Sequence, residues 1–142
     1  MTQDVESKKR LPLRRGRFVV PEDPNAEPYL IGGKCQNCGK FFAPPRTVCL
    51  NCGKQMIEIT ALSSKGKVYS YTIVWQQLPG ALVKVPYSIA IVSMPEGCQI
   101  HAVVTENYDK LRVDQEVEVY FEKIMEDNEG NDLIVDKFRI AK

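Results

Sequence analysis

The sequence predicts a mainly β chain in two parts: a four-cysteine metal ribbon, then a small five-stranded barrel. Three observations predict it. Two Cys-x-x-Cys pairs stand ten residues apart. The stretch after them carries short runs rich in β-branched and aromatic residues, punctuated by Gly, Pro, Ser and Asn. No segment sustains the apolar period of about 3.6 residues that marks a helix.

The elements follow in chain order. Residues 1–28 contain Pro12, Pro21, Pro24 and Pro28 and the basic cluster Lys8, Lys9, Arg10, Arg14, Arg15 and Arg17. They read as a Pro-rich basic arm rather than a domain, one that orders on a partner. The ribbon is placed at 29–56. Tyr29-Leu30-Ile31 enters it as a short strand, and Gly32-Gly33 is read as a turn. Cys35-Gln36-Asn37-Cys38-Gly39 and Cys49-Leu50-Asn51-Cys52-Gly53 form its two knuckles. Phe41 and Phe42 are consecutive, so on a strand they face opposite sides, one toward the metal and one toward a neighbour. Pro44 and Pro45 stiffen the return segment.

The barrel is placed at 57–142. Met56 to Leu62 alternates weakly, and Ser63-Ser64-Lys65-Gly66 reads as a turn. Val68 to Trp75 and Tyr87 to Met94 are strand-forming runs around a loop with Pro79, Gly80 and Pro86. Pro95-Glu96-Gly97 turns the chain into a returning strand, Gln99 to Thr105. A connection with a helical turn spans Asn107 to Gln115. Glu116 to Ile124 puts Val117, Val119 and Phe121 on one face. An acidic turn, Glu126 to Asn131, precedes a closing strand, Leu133 to Ile140. Five or so short strands with turn signals between them fit a Greek-key barrel of the OB type.

Composition bounds the function. The chain has 142 residues, 44% of them hydrophobic and 26% charged, which excludes a wholly disordered polymer. No apolar run approaches the roughly 18 residues of a membrane helix. The polar opening MTQDVESKKR has no apolar stretch behind it and does not read as a secretory leader, so the cytoplasm is the expected compartment. The formal charge of +1 conceals an asymmetry: residues 1–67 sum to +6 and residues 68–142 to −5. A dedicated nucleic-acid binder carries a stronger basic bias.

The cysteines carry the chemistry. Each short loop aims two thiolates at one centre, and the glycine after it tolerates a left-handed backbone. Cys35, Cys38, Cys49 and Cys52 together supply a sulfur tetrahedron, the donor set of a closed structural zinc site. With all four positions filled by protein, the ion holds shape and leaves no vacancy for substrate. Iron suits the same four sulfurs and is the second choice. A pair of disulfides conflicts with a reducing compartment, and a redox Cys-x-x-Cys needs no second copy.

Taken together, ribbon and barrel resemble the zinc-ribbon plus OB-fold family of acyl-CoA-associated proteins. The likeness rests on Gly33 to Lys40, on Phe42 to Gly53 and on Gly66-Lys67-Val68-Tyr69-Ser70-Tyr71-Thr72. It extends to Val85-Pro86-Tyr87 and to Val113 through Val119, and so covers about residues 29–142. The family often opens with an amphipathic helix where this chain has its Pro-rich arm. The resemblance implies a small, non-catalytic partner subunit of thiolase-type enzymes that helps shape a coenzyme A site in acyl-CoA degradation or synthesis.

The chain's own residues agree with a non-catalytic role. Thiolase chemistry needs a nucleophilic thiolate, a base and a site that polarises the thioester oxygen. Outside the ribbon the chain holds one cysteine, Cys98, and its one histidine is His101. Three residues apart at a hairpin, they are expected to face opposite sides. The catalytic Cys and His are therefore assigned to a partner chain. Candidate contacts to that partner or to coenzyme A are Phe41, Phe42, Arg46, Lys65, Lys67, Trp75 and Lys84, the lysines being candidates for its phosphates. Tyr69, Tyr71, Ile73 and Trp75 are expected on one strand face as packing or interface residues. The alternative is a single-stranded nucleic-acid-binding module, since OB strands stack aromatics on bases; the acidic barrel half opposes it.

Overall fold

The structure, a computed structural model, describes residues 9–13, 15–23 and 25–141. Among these residues ten strands run in chain order: β1 (Arg10–Pro12), β2 (Phe18–Val19), β3 (Tyr29–Cys35), β4 (Phe41–Phe42), β5 (Ile57–Ala61), β6 (Lys65–Val74), β7 (Tyr87–Ser93), β8 (Gln99–Val104), β9 (Glu116–Glu126) and β10 (Asp132–Ile140). A 3₁₀ turn, Tyr108–Lys110, lies between β8 and β9. Among the described residues no helix is long and apolar enough to cross a membrane.

Two sheets result. The ribbon sheet is centred on β3, which pairs with β5 along Ile31–Cys35, and with β2 and then β4 on its other edge. The barrel sheet runs β1-β10-β9-β6-β7-β8. Its two outer elements of barrel origin, β8 and β10, are not backbone-paired, so the OB-type barrel is not closed by a continuous ladder. The inward residues of the alternating strands fill it: Val68, Val92, Val104, Val117 and Phe138 are fully buried. Burial of each such side chain favours folding by roughly 1.5–3 kcal/mol.

Three readings from sequence are corrected here. The Gly32-Gly33 pair is not a turn but the middle of β3. A Cβ on Gly32 would stand 2.8 Å from the Phe42 carbonyl oxygen, and one on Gly33 would stand 2.5 Å from Ile57 Cγ2. The glycines let β4 and β5 close on β3, a use of glycine that turn statistics do not distinguish. Likewise Lys65 and Gly66 begin β6 rather than end a turn, and a Cβ on Gly66 would meet Val92 Cγ1 at 2.6 Å.

The 1–28 segment is the second correction. Lys8, Arg14 and Pro24 lie outside the described residues, but the described remainder is built into both sheets. β1 lies parallel to β10, and β2 pairs with β3 through Phe18 opposite Leu30. Phe18 is 3% exposed and its ring sits 5.0 Å from that of Phe121. Two of the arginines that suggested a free arm, Arg10 and Arg17, are occupied. Arg10 Nη2 donates to the carbonyls of Pro21, Asp23 and Ala26. Arg17 pairs with Asp136 at 2.9 Å and donates at 2.7 Å to the His101 carbonyl.

The third concerns β6. Its register against β7 shifts between Val68 and Ser70, a bulge. Val68 pairs with Val92, Ser70 with Ile91 and Tyr71 with Ala90. Directly paired residues share a face, so Tyr71 and Ile73 lie on the face of Ala90 and Ser88, not with Tyr69. Tyr69, Tyr71 and Trp75 are exposed rather than packed.

Polar groups fix the corners. Glu96 accepts from the Ser63 amide and hydroxyl at 2.9 and 2.8 Å, tying the β7–β8 turn to the β5–β6 junction. The buried Ser88 hydroxyl donates at 2.7 Å to the Tyr108 carbonyl and holds the 3₁₀ turn beneath the barrel end. Lys137, mostly buried, pairs with Glu122 across β9 and β10.

Candidate metal centre

Both knuckles are built by the same local bonds. In the first, the Gly39 amide donates to the Cys35 carbonyl at 2.8 Å, and the Cys35 amide to the Lys40 carbonyl at 2.9 Å. In the second, Gly53 donates to Cys49 at 2.9 Å and Cys49 to Lys54 at 3.0 Å. Gly39 and Gly53 sit at φ +80 and +79, in the left-handed region that favours glycine. The first knuckle grows out of the end of β3, and the second follows the return from β4.

The four sulfurs converge. Cys35 and Cys52 stand 3.6 Å apart at Sγ, Cys38 and Cys49 3.5 Å apart, and all four lie within 4.8 Å of one another. A disulfide would bring a pair to about 2.05 Å. A tetrahedron with metal–sulfur bonds of about 2.3 Å has edges near 3.8 Å, so the spacing fits one ion held by four thiolates. The set is closed: an ion here has no open position for a substrate.

Hydrogen bonding prepares the sulfurs for that role. The Asn51 side chain and then the Lys40 backbone hold the Cys38 thiol down to about 6. The Lys54 backbone and then the Asn37 side chain lower Cys52. Burial raises Cys49, against amide donations to its Sγ from Asn51 and Cys52, each at 3.4 Å. The two asparagines thus act across the site, each on the other knuckle's second cysteine. They escaped the reading of the sequence, although both knuckles carry the same Cys-x-Asn-Cys-Gly-Lys pattern that would have exposed them.

The other sequence candidates do not gather at the centre. Phe41 is half-buried and packs against the barrel core, with Lys34 Nζ 5.7 Å from its ring centre. Phe42 is half-buried and Arg46 exposed. Lys65 and Lys67 are exposed on β6, paired with Glu118 and Glu116 of β9. Lys84 is exposed in the β6–β7 loop. Trp75 is 68% exposed and meets Tyr108 edge-on at 6.4 Å. Cys98 is 6% exposed, its thiol pushed up by burial and by Glu96, whereas His101 is exposed on β8. The two form no nucleophile–base pair.

Comparison with known proteins follows the same division. A profile described as "ChsH2, rubredoxin-like zinc ribbon domain" matches residues 26–56, and one described as "ChsH2, C-terminal OB-fold domain" matches residues 60–122. The benzoylsuccinyl-CoA thiolase subunit BbsA of Thauera aromatica is 34% identical over 120 residues, covering 84% of this chain and 81% of that protein. A DUF35 domain-containing scaffold protein of Pyrococcus furiosus is 39% identical over 112 residues, covering 78% and 82%. Among solved structures, the Ltp2-ChsH2(DUF35) aldolase superposes with a TM-score of 0.65 at 26% identity, covering 80% of this chain and 86% of that one. With its four sulfurs, its β-barrel and these relatives, the chain belongs to the ChsH2-type DUF35 family of paired zinc-ribbon and OB-fold proteins.

Proposed function

We propose that this chain is a non-catalytic, zinc-bearing subunit of a thiolase-like acyl-CoA acyltransferase complex in the cytoplasm. The observation that carries the reading is the 34% identity to a benzoylsuccinyl-CoA thiolase subunit, which spans 84% of the chain and therefore ribbon and barrel together. The chain's own chemistry supports it. The one thiol outside the ribbon is buried away from His101, which leaves the nucleophile and base to the partner.

In this reading the working parts are the ribbon at 29–56 and the barrel at 57–142. Cys35, Cys38, Cys49 and Cys52 hold one structural zinc, which supplies rigidity; iron is the second choice. Phe41 seats the ribbon on the barrel, so the two move as one piece against the partner. The exposed Trp75, with Arg46 and Phe42, offers contacts to the catalytic subunit. Lys65, Lys67 and Lys84, all exposed, are the candidates for the phosphates of an acyl-CoA at the shared boundary.

Co-expression with the cognate condensing enzyme tests the proposal. The tagged chain is expected to retain that enzyme through size exclusion, with one zinc per chain, and thiolase activity is expected to fall when the chain is omitted. A chain that elutes alone, with activity indifferent to it, ends the proposal. The exposed Tyr69, Tyr71 and Trp75 favour the second reading, single-stranded nucleic-acid binding. Oligonucleotide affinity that collapses steeply with salt would favour that reading instead.

A further inference from the structure

We propose that residues 15–20 form a latch that closes the barrel between β8 and β10 and that opens as a local unit while the rest of the barrel stays folded. Three observations meet at this segment. The barrel sheet ends at β8 on one side, and β8 is not paired with β10. Arg17 spans that gap: Nη2 donates at 2.7 Å to the His101 carbonyl on β8, and Nε and Nη2 donate at 3.3 and 2.9 Å to the two oxygens of Asp136 on β10. One residue on, Phe18 enters the common core beside Phe121 of β9.

The same residues reach the ribbon. The Ile31 amide donates at 3.0 Å to the Arg17 carbonyl, and β2 pairs Phe18 with Leu30 and Val19 with Tyr29. β3 therefore holds the latch at one end and the metal ligand Cys35 at the other. Ribbon seating and barrel closure share one fastening.

The fastening is small. β2 offers two residues of ladder, against seven aligned pairs between β6 and β7. A planar guanidinium serves here where a strand would otherwise pair, because its fixed fork donates to a carboxylate and a carbonyl at once. Segments with short ladders open at lower free energy than the strands they cover. Thr105 and Tyr120 hydroxyls, 3.4 Å apart, give β8 a second tether to β9 at its far end. Opening is thus confined to the Gln99–Ala102 side of the seam.

Hydrogen exchange read by mass spectrometry on the metal-loaded full chain tests this. In Arg17→Met, amides of 17–19 and 29–31 are expected to exchange at least tenfold faster, while those of Thr72–Val74 and Ile89–Ile91 keep their rates and metal content is unchanged. Arg17→Lys, which keeps the charge but loses the fork, is expected to fall between. Unchanged exchange at the seam, or a uniform rise across all strands, overturns the latch. If Arg17→Met does not fold, the wild type decides in low urea: seam amides with a weaker urea dependence than Ile89–Ile91 support the latch, and a common dependence refutes it.

Discussion

Phe18→Ala gives a quantitative test of whether the N-terminal segment belongs to the fold. Phe18 is 3% exposed, lies in the barrel core and stacks at 48° against Phe121 with ring centres 5.0 Å apart. Truncation to alanine removes a buried ring, worth roughly 2 kcal/mol in transfer from water. It also forfeits an aromatic pair worth roughly 1 kcal/mol and leaves a cavity lined by neighbours already held by backbone pairing. The total is about 3–4 kcal/mol. For a chain of this size that corresponds to a fall in Tm of roughly 10–15 °C. Thermal unfolding by circular dichroism, with metal loaded in both proteins, reads it. A free arm that merely touches the barrel would make the substitution nearly silent. A loss below about 1 kcal/mol would therefore refute the placement of Phe18 in the core and the correction built on it.

Other expectations follow from the ribbon and the exposed face. Cys49→Ser is expected to leave the purified protein with well under one bound metal by elemental analysis; full loading would show that three sulfurs suffice. Gly33→Ala puts a methyl where Ile57 Cγ2 stands 2.5 Å away, so a destabilisation of about 1–3 kcal/mol is expected in urea titration, with a silent result contradicting the close approach of β5. Trp75→Ser, at a mostly exposed site, is expected to change stability by no more than about 1 kcal/mol yet weaken capture of the condensing enzyme at least tenfold; equal capture removes this side chain from the docking face. In metal-free protein the pH dependence of alkylation separates the thiols. Cys38 is held down to about 6 from an ordinary 9.0, so the stability its thiolate contributes is complete above the ordinary value and is lost as pH falls through about 6. Its alkylation is expected to reach half-maximum near pH 6, with Cys98 titrating above the ordinary thiol; a shared midpoint contradicts the asparagine and amide donors.

The four-cysteine cluster was legible because residue identity and spacing alone dictate it: two short loops with a glycine behind each bring four thiols toward one point. The strands of the barrel were legible because Val, Ile and Tyr crowd into runs between turn residues. What stayed hidden depends on partners distant in sequence. Gly32 and Gly33 carry a turn signal locally, and only the arrival of Phe42 and Ile57 shows why no side chain fits. Phe18 opens a run of only three apolar residues, Phe18-Val19-Val20, between arginines and prolines with no period to mark it, so its burial is invisible until β3 and β9 are in place. Arg10 and Arg17 read as surface charge because their acceptors, three loop carbonyls, the His101 carbonyl and Asp136, lie up to 119 residues away. The asparagine exchange between knuckles was within reach of a closer comparison of the two repeats.

The extra residue in β6 has a further effect on how this strand tolerates change. On both sides of Tyr69 the ladder to β7 is in frame, and the pairing with β9 ends at Lys67, before it. A chain one residue shorter at this point would keep each neighbour opposite its present partner and lose only curvature. A deletion farther along the strand, between Tyr71 and Val74, would throw the residues beyond it out of phase with β7. Tyr69 is thus the strand's one unit of slack, the place where length can vary without the barrel losing count.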